Sequence, residues 1–143
     1  MFTGQYEHSL DEKNRIAIPS KLRASFKEGV VITKGLDGCL FLFTKNKWQK
    51  MATSIGQLPT TKSSARLYAR LLLASAVETN FDKQGRIVIP AYLAEYANIS
   101  LKGVVIGLYD RVEIWDKKRW DDLSQKVDKQ AGKIAEELSE LGI

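Results

Sequence analysis

A chain of 143 residues with 44% hydrophobic content carries enough apolar side chains for one packed domain of ordinary size or two very small ones, and this excludes a disordered protein. Its longest uncharged apolar run, Leu71–Val77, is too short to cross a bilayer, and Met1 to Glu7 lacks the basic flank and apolar stretch of a signal peptide, so a cytoplasmic protein with no membrane contact is expected. The net charge of +5 is uneven: residues 1–70 hold 12 Lys/Arg against 5 Asp/Glu, whereas residues 71–143 hold 10 against 12, so the first half is the one suited to a polyanion.

In chain order, "QYEHSL" (5–10) is the first candidate strand, followed by "DEKNRIAIP" (11–19). Asp11 can cap a tight turn through its side chain, Asn14 tolerates positive φ, and "RIAI" alternates as a second strand, so the motif is expected to be a hairpin. Pro19 ends that strand and suits the first turn of a short helix, "PSKLRASF". "GVVI" (29–32) and "CLFLFTKNKW" (39–48) follow, with "KGLDG" (34–38) a turn between strands. Cys39 is expected to be a small buried apolar residue. One cysteine and one histidine, His8, exclude an internal disulfide and a Cys/His zinc cluster. "KSSARLYARLLLASAVE" (62–78) is expected to be a well-buried helix with Ser63 or Ser64 near its N-cap.

The first series of segments then recurs. "AVETNF" (76–81) precedes "DKQGRIVIP" (82–90), with Asp82, Gly85 and Arg86 in the places of Asp11, Asn14 and Arg15. "PAYLAEYA" repeats the short helix, "GVVI" returns at 103–106, and "RVEIWDKKRW" (111–120) aligns Trp120 with Trp48. Each copy is about 45 residues and too small to bury its own apolar faces, so the two must pack on each other. From Asp116 onward, apolar residues at Trp120, Leu123, Val127, Ala131, Ile134, Leu138 and Leu141 form a near-heptad seam on an expected C-terminal helix. That seam either packs on its own domain or meets a neighbouring subunit. Gly132 weakens the helix by about 1 kcal/mol relative to Ala.

No nucleophile with a base, carboxylate pair, metal cluster or phosphate loop stands at recognisable spacing, so neither an enzyme nor a cofactor or metal site is expected. The repeated polar positions carry more information. Asp11 and Arg15 stand at the two ends of one turn, as do Asp82 and Arg86, so each carboxylate can hold its guanidinium. Such a pair could serve only to fix the turn, which on an exposed loop stabilises little. With Lys13, Lys21 and Arg23 clustered around the first copy, a held arginine on a two-stranded hairpin instead suits a bidentate contact to guanine in the major groove, with lysines for phosphates. The second copy keeps Arg86 and Lys83 but has Tyr92 and Ala94 where Lys21 and Arg23 would fall. The first hairpin is therefore expected to be the main reading head.

The doubled D-x-x-x-R, I-x-I-P pattern, the start "MFTG" and the intervening "ARLYARLLLASA" resemble the MraZ family of bacterial transcriptional regulators, which is similar in turn to the AbrB swapped-hairpin fold. The resemblance runs from Met1 to about Trp120, with one departure at Asn14, where glycine is usual. It implies an α+β, β-rich double AbrB-like barrel from two internal repeats, with a first repeat at 1–50, connecting helices at 51–75, a second repeat at 76–120 and a C-terminal helix at 121–143. It also implies a nucleoid-associated ring of several subunits that binds double-stranded DNA at G-rich direct repeats upstream of the division and cell-wall gene cluster. The family's motif positions fall on Asp11, Arg15, Asp82 and Arg86. Two other functions fit the same fold: a ring-forming adaptor with a protein partner, and an AbrB-like antitoxin, although such antitoxins usually carry one copy with a disordered extension.

Overall fold

The computed structural model describes residues 1–143. The first copy supplies β1 (Phe2–Ser9), β2 (Arg15–Ala17), the one-turn helix α1 (Ser20–Arg23), β3 (Val30–Lys34) and β4 (Leu40–Thr44). Two longer helices, α2 (Lys45–Gly56) and α3 (Ser63–Leu72), lead to the second copy, with β5 (Val77–Thr79), β6 (Arg86–Val88), α4 (Ala91–Tyr96), β7 (Lys102–Tyr109) and β8 (Arg111–Asp116). The tail is α5 (Lys117–Lys129), α6 (Ala131–Glu137) and a final 3-10 turn. Equivalent side chains start the helices that follow β4 and β8: Thr44 Oγ1 accepts from the Lys47 amide at 3.1 Å, and Asp116 Oδ2 accepts from the Arg119 amide at 3.2 Å.

The two motifs do form tight turns, but their strands do not pair with each other as local hairpins. β1 pairs with β7, β5 with β3, and β2 with β6, each across the two copies. The result is a six-stranded antiparallel sheet in the order β1, β7, β8, β4, β3, β5, and a separate two-stranded ribbon of β2 and β6. Exchange of strands buries what a single copy could not: Ile16 and Ile87 face each other at the centre of the ribbon and are 0% and 1% exposed. The sheet stays open at β1 and β5, so the expected barrel is not closed by hydrogen bonds.

A pseudo-twofold axis runs through the Ile16–Ile87 pair and through the middle of the β4–β8 ladder, where Phe41 stands opposite Glu113. Glu113 is buried with both carboxylate oxygens used: Trp115 Nε1 donates to one at 2.9 Å and Arg111 Nε to the other at 3.0 Å. Both faces of the middle strands of the sheet are covered. Leu40 and Leu42 of β4 join the ribbon isoleucines, Leu22 and Leu93 in the larger core, whereas Cys39, Phe41 and Phe43 join Ile55, Leu72 and Trp115 in a second core under α2 and α3. Two-sided burial is why "GCLFLF" is apolar without alternation. Cys39 is fully buried, and desolvation pushes its thiol far above the ordinary range.

Two helical expectations need correction. α3 starts after Lys62 with no side-chain cap and stops at Leu72. Only Ala65 and Leu72 of α3 are buried, while Leu67 is 60% exposed, because one face of the helix meets the second core and the other has no neighbour. The tail is two helices that meet at Gln130 (φ −108°, ψ 9°), beside Gly132, whose low helix propensity makes interruption cheap. Its seam divides as well. Trp120 and Leu123 pack on the second core, while Val127, Ile134, Leu138 and Leu141 stay exposed.

Candidate nucleic-acid interface

The turn before β2 is built by Asp11. Its Oδ1 accepts the amides of Lys13 and Arg15, each at 2.9 Å, and its Oδ2 accepts Arg15 Nε at 2.6 Å. Asp82 repeats the pattern, taking the amides of Gln84 and Arg86 at 2.9 Å and Arg86 Nε at 2.9 Å. A short carboxylate is needed because only it can reach amides two and four residues on. The fourth residue must turn left-handed, and Asn14 (φ 57°) and Gly85 (φ 74°) do so.

Each arginine thus spends Nε on its own aspartate, and its two terminal nitrogens take no part in that bond. The ribbon register places Arg15 opposite Val88 and Arg86 opposite Ala17, on the outer face, with Ile16 and Ile87 inward. Both arginine side chains are 28% exposed, and Arg86 Nη1 also lies 3.5 Å from Asp11 Oδ2. One carboxylate therefore stands between both guanidinium groups. The sequence treats the two motifs as separate heads, one dominant; the ribbon unites them on one surface. A signal for this was present, since "RIAI" and "RIVI" point isoleucines the same way and each needs an apolar partner.

Lys13 and Lys83 lie exposed on the two turns, and Lys21 is exposed on α1. Arg23 differs from these. It is half-buried, and its Nη1 donates to the carbonyl of Ile18 at 2.7 Å.

Both aspartates are held below the ordinary carboxylate range, first by the amide of the arginine four residues on, with partial desolvation opposing and the Arg Nε bond adding to it. A carboxylate whose folded value lies below its unfolded value stabilises the fold above the unfolded value, and the contribution disappears as pH falls through the folded one. The turns are thus fully charged from about pH 5 to 8. Any affinity for a polyanion carried by these turns should be flat over that window apart from changes in the ligand, and a steep loss between pH 7 and 5, in about the range where histidine titrates, would contradict a role for the two Asp–Arg pairs.

No helix is long and apolar enough to cross a membrane, and no group of three or more His, Cys, Asp or Glu is placed to hold a metal ion. The family model described as "MraZ protein, putative antitoxin-like" matches the chain twice, over residues 1–71 and 72–140. Curated relatives bearing the name "Transcriptional regulator MraZ" include those of Thermoanaerobacter pseudethanolicus (46% identical), Caldanaerobacter subterraneus subsp. tengcongensis (45%) and Pediococcus pentosaceus (42%), each aligned over 100% of this chain and of the relative.

Proposed function

The chain belongs to the MraZ family of transcriptional regulators, and from that premise we propose that it acts in the cytoplasm, at the nucleoid, by binding double-stranded promoter DNA with sequence preference. The observation that carries this reading is the pair of aspartate-held arginines on one outward ribbon. A two-stranded ribbon fits the major groove, and a guanidinium held through Nε can donate from its terminal nitrogens to O6 and N7 of guanine. Arg86 would first have to give up the 3.5 Å contact of its Nη1 with Asp11. Lys13, Lys83 and Lys21 serve the phosphates, which position without specifying.

One ribbon with a few cations binds weakly. A ring of several subunits on the G-rich direct repeats upstream of the division and cell-wall gene cluster would convert weak contacts into tight binding through effective concentration. The open edges of β1 and β5 and the uncovered tail residues Val127, Ile134, Leu138 and Leu141 support association, because such surfaces gain by being covered. Removing residues 130–143 should therefore lower the mass measured by light scattering at micromolar concentration while leaving the melting transition within a few degrees, since Trp120 and Leu123 stay packed. An unchanged mass would show that the tail plays no part in assembly.

Titration of labelled promoter DNA against salt tests the main reading. Log affinity should fall steeply and linearly with log salt, with a residual preference for the G-rich sequence over a scrambled one. Weak attraction without preference would favour instead a ring-forming adaptor, in which the Asp–Arg pairs only clamp turns.

A further inference from the structure

The two copies differ at two positions together. Copy one has Asn14 on its turn and Arg23 on its helix; copy two has Gly85 and Ala94. Strand exchange explains why these differences go together, because each helix packs on the other copy's turn. Ile18, at the entry to α1, donates its amide to the Gly85 carbonyl at 3.0 Å, and Ile89, at the entry to α4, donates to the Asn14 carbonyl at 2.8 Å. A Cβ built on Gly85 would overlap Nη1 and Cζ of Arg23 and lie 2.8 Å from its Nε. Arg23 therefore fills the space that a side chain at position 85 would need. In the repeat alignment the counterpart of Arg23 is the small Ala94, and the counterpart of Gly85 is Asn14.

We infer that Arg23 is a positioning residue that seats the Gly85 turn and thereby aims Arg86, and that Arg23 with Gly85 forms one matched pair and Ala94 with Asn14 the other. An unbroken chain of bonds supports this. Arg23 Nη1 donates to the Ile18 carbonyl, the Ile18 amide to the Gly85 carbonyl, and the Gly85 amide to the Asp82 carbonyl. Asp82 holds the Arg86 amide and Nε. A glycine turn costs more conformational freedom to order than an asparagine turn does. An external guanidinium brace therefore belongs on that side. The role differs from that of a phosphate contact, which the position of Arg23 among Lys13 and Lys21 suggests from sequence alone.

The inference rests on the DNA-reading role of Arg86, and its test separates the two. Arg23→Ala, Arg23→Lys and the double variant Arg23→Ala/Gly85→Asn are compared with the unaltered chain on G-rich and scrambled duplexes over a salt series. Arg23→Ala should lower the ratio of specific to non-specific affinity by about fivefold or more per engaged subunit, the low end of what one bidentate contact discriminates. The salt slope should stay the same. Arg23→Lys should fare no better, because an ammonium cannot fill the guanidinium's place, and the double variant should recover the ratio to within about twofold. A slope shallower by about one unit with the ratio kept, or full rescue by lysine, would make Arg23 a phosphate contact and overturn the inference. Should the unaltered protein show no sequence preference, the parent reading fails, and amide exchange without DNA decides the brace. Arg23→Ala should speed exchange at Ile18 and Gly85, and unchanged exchange there would refute it.

Discussion

Replacing Arg15 with Ala is expected to cost about 1–3 kcal/mol of discrimination per engaged subunit, the range for one bidentate guanine contact, with the loss multiplied where several subunits bind together. Asp11 holds Arg15 at 2.6 Å and Asp82 holds Arg86 at 2.9 Å, with equal exposure on the same ribbon face. Arg86→Ala should therefore fall in the same range. What remains of the first copy's advantage is Lys21, whose counterpart Tyr92 is tied by its hydroxyl to the carbonyl of Ser75 at 2.8 Å. Lys21→Ala should weaken binding to every sequence and make the salt slope shallower by about one unit, leaving preference intact. Competition between labelled operator and scrambled duplex separates these outcomes. Full preference retained in both arginine variants would remove the ribbon from the reading surface.

The second large effect concerns stability. Ile87→Ala should cost about 2–5 kcal/mol, the range for truncating a large aliphatic side chain in a packed core. Ile87 is 1% exposed and meets Ile16 on the pseudo-axis. The ribbon has only three residues per strand, so its isoleucines, more than its ladder, fasten it to the sheet. Val88, one residue along and 49% exposed, is the internal control: Val88→Ala should change stability by no more than about 0.5 kcal/mol. Equilibrium unfolding in urea measures both. A loss below about 1 kcal/mol for Ile87→Ala would mean that the ribbon is not seated as described.

Much of this architecture was legible from residues. The D-x-x-x-R turns, the left-handed fourth position, the inward isoleucines and the prolines that end β2 and β6 all follow from local chemistry. Which strand pairs with which does not. Local hairpins and exchanged strands share the same alternation, and only the burial needs of a unit too small for its own core decide between them. α3 is shorter than its letters suggest because the apolar letters of 73–76 signal burial as readily as helix, and a turn here uses residues 73–75. The break at Gln130 was half-visible in Gly132. Arg23 over Gly85 was invisible, since two positions so far apart in the chain meet only once the copies have exchanged strands.

The placement of Phe41 opposite Glu113 bears on how the halves recognise one another. Because the ladders run between copies, two second halves from different chains could in principle embrace as the two halves of one chain do. That arrangement would set Glu113 against Glu113 on the axis, where like charges directly opposite repel and a desolvated carboxylate repels all the more. The proper match sets a carboxylate against an aromatic ring, beneath an arginine whose guanidinium carbon lies 5.2 Å from the Phe41 centroid. A single unlike pair at the centre of symmetry thus disfavours the joining of two second halves and leaves the match between first and second half without that repulsion.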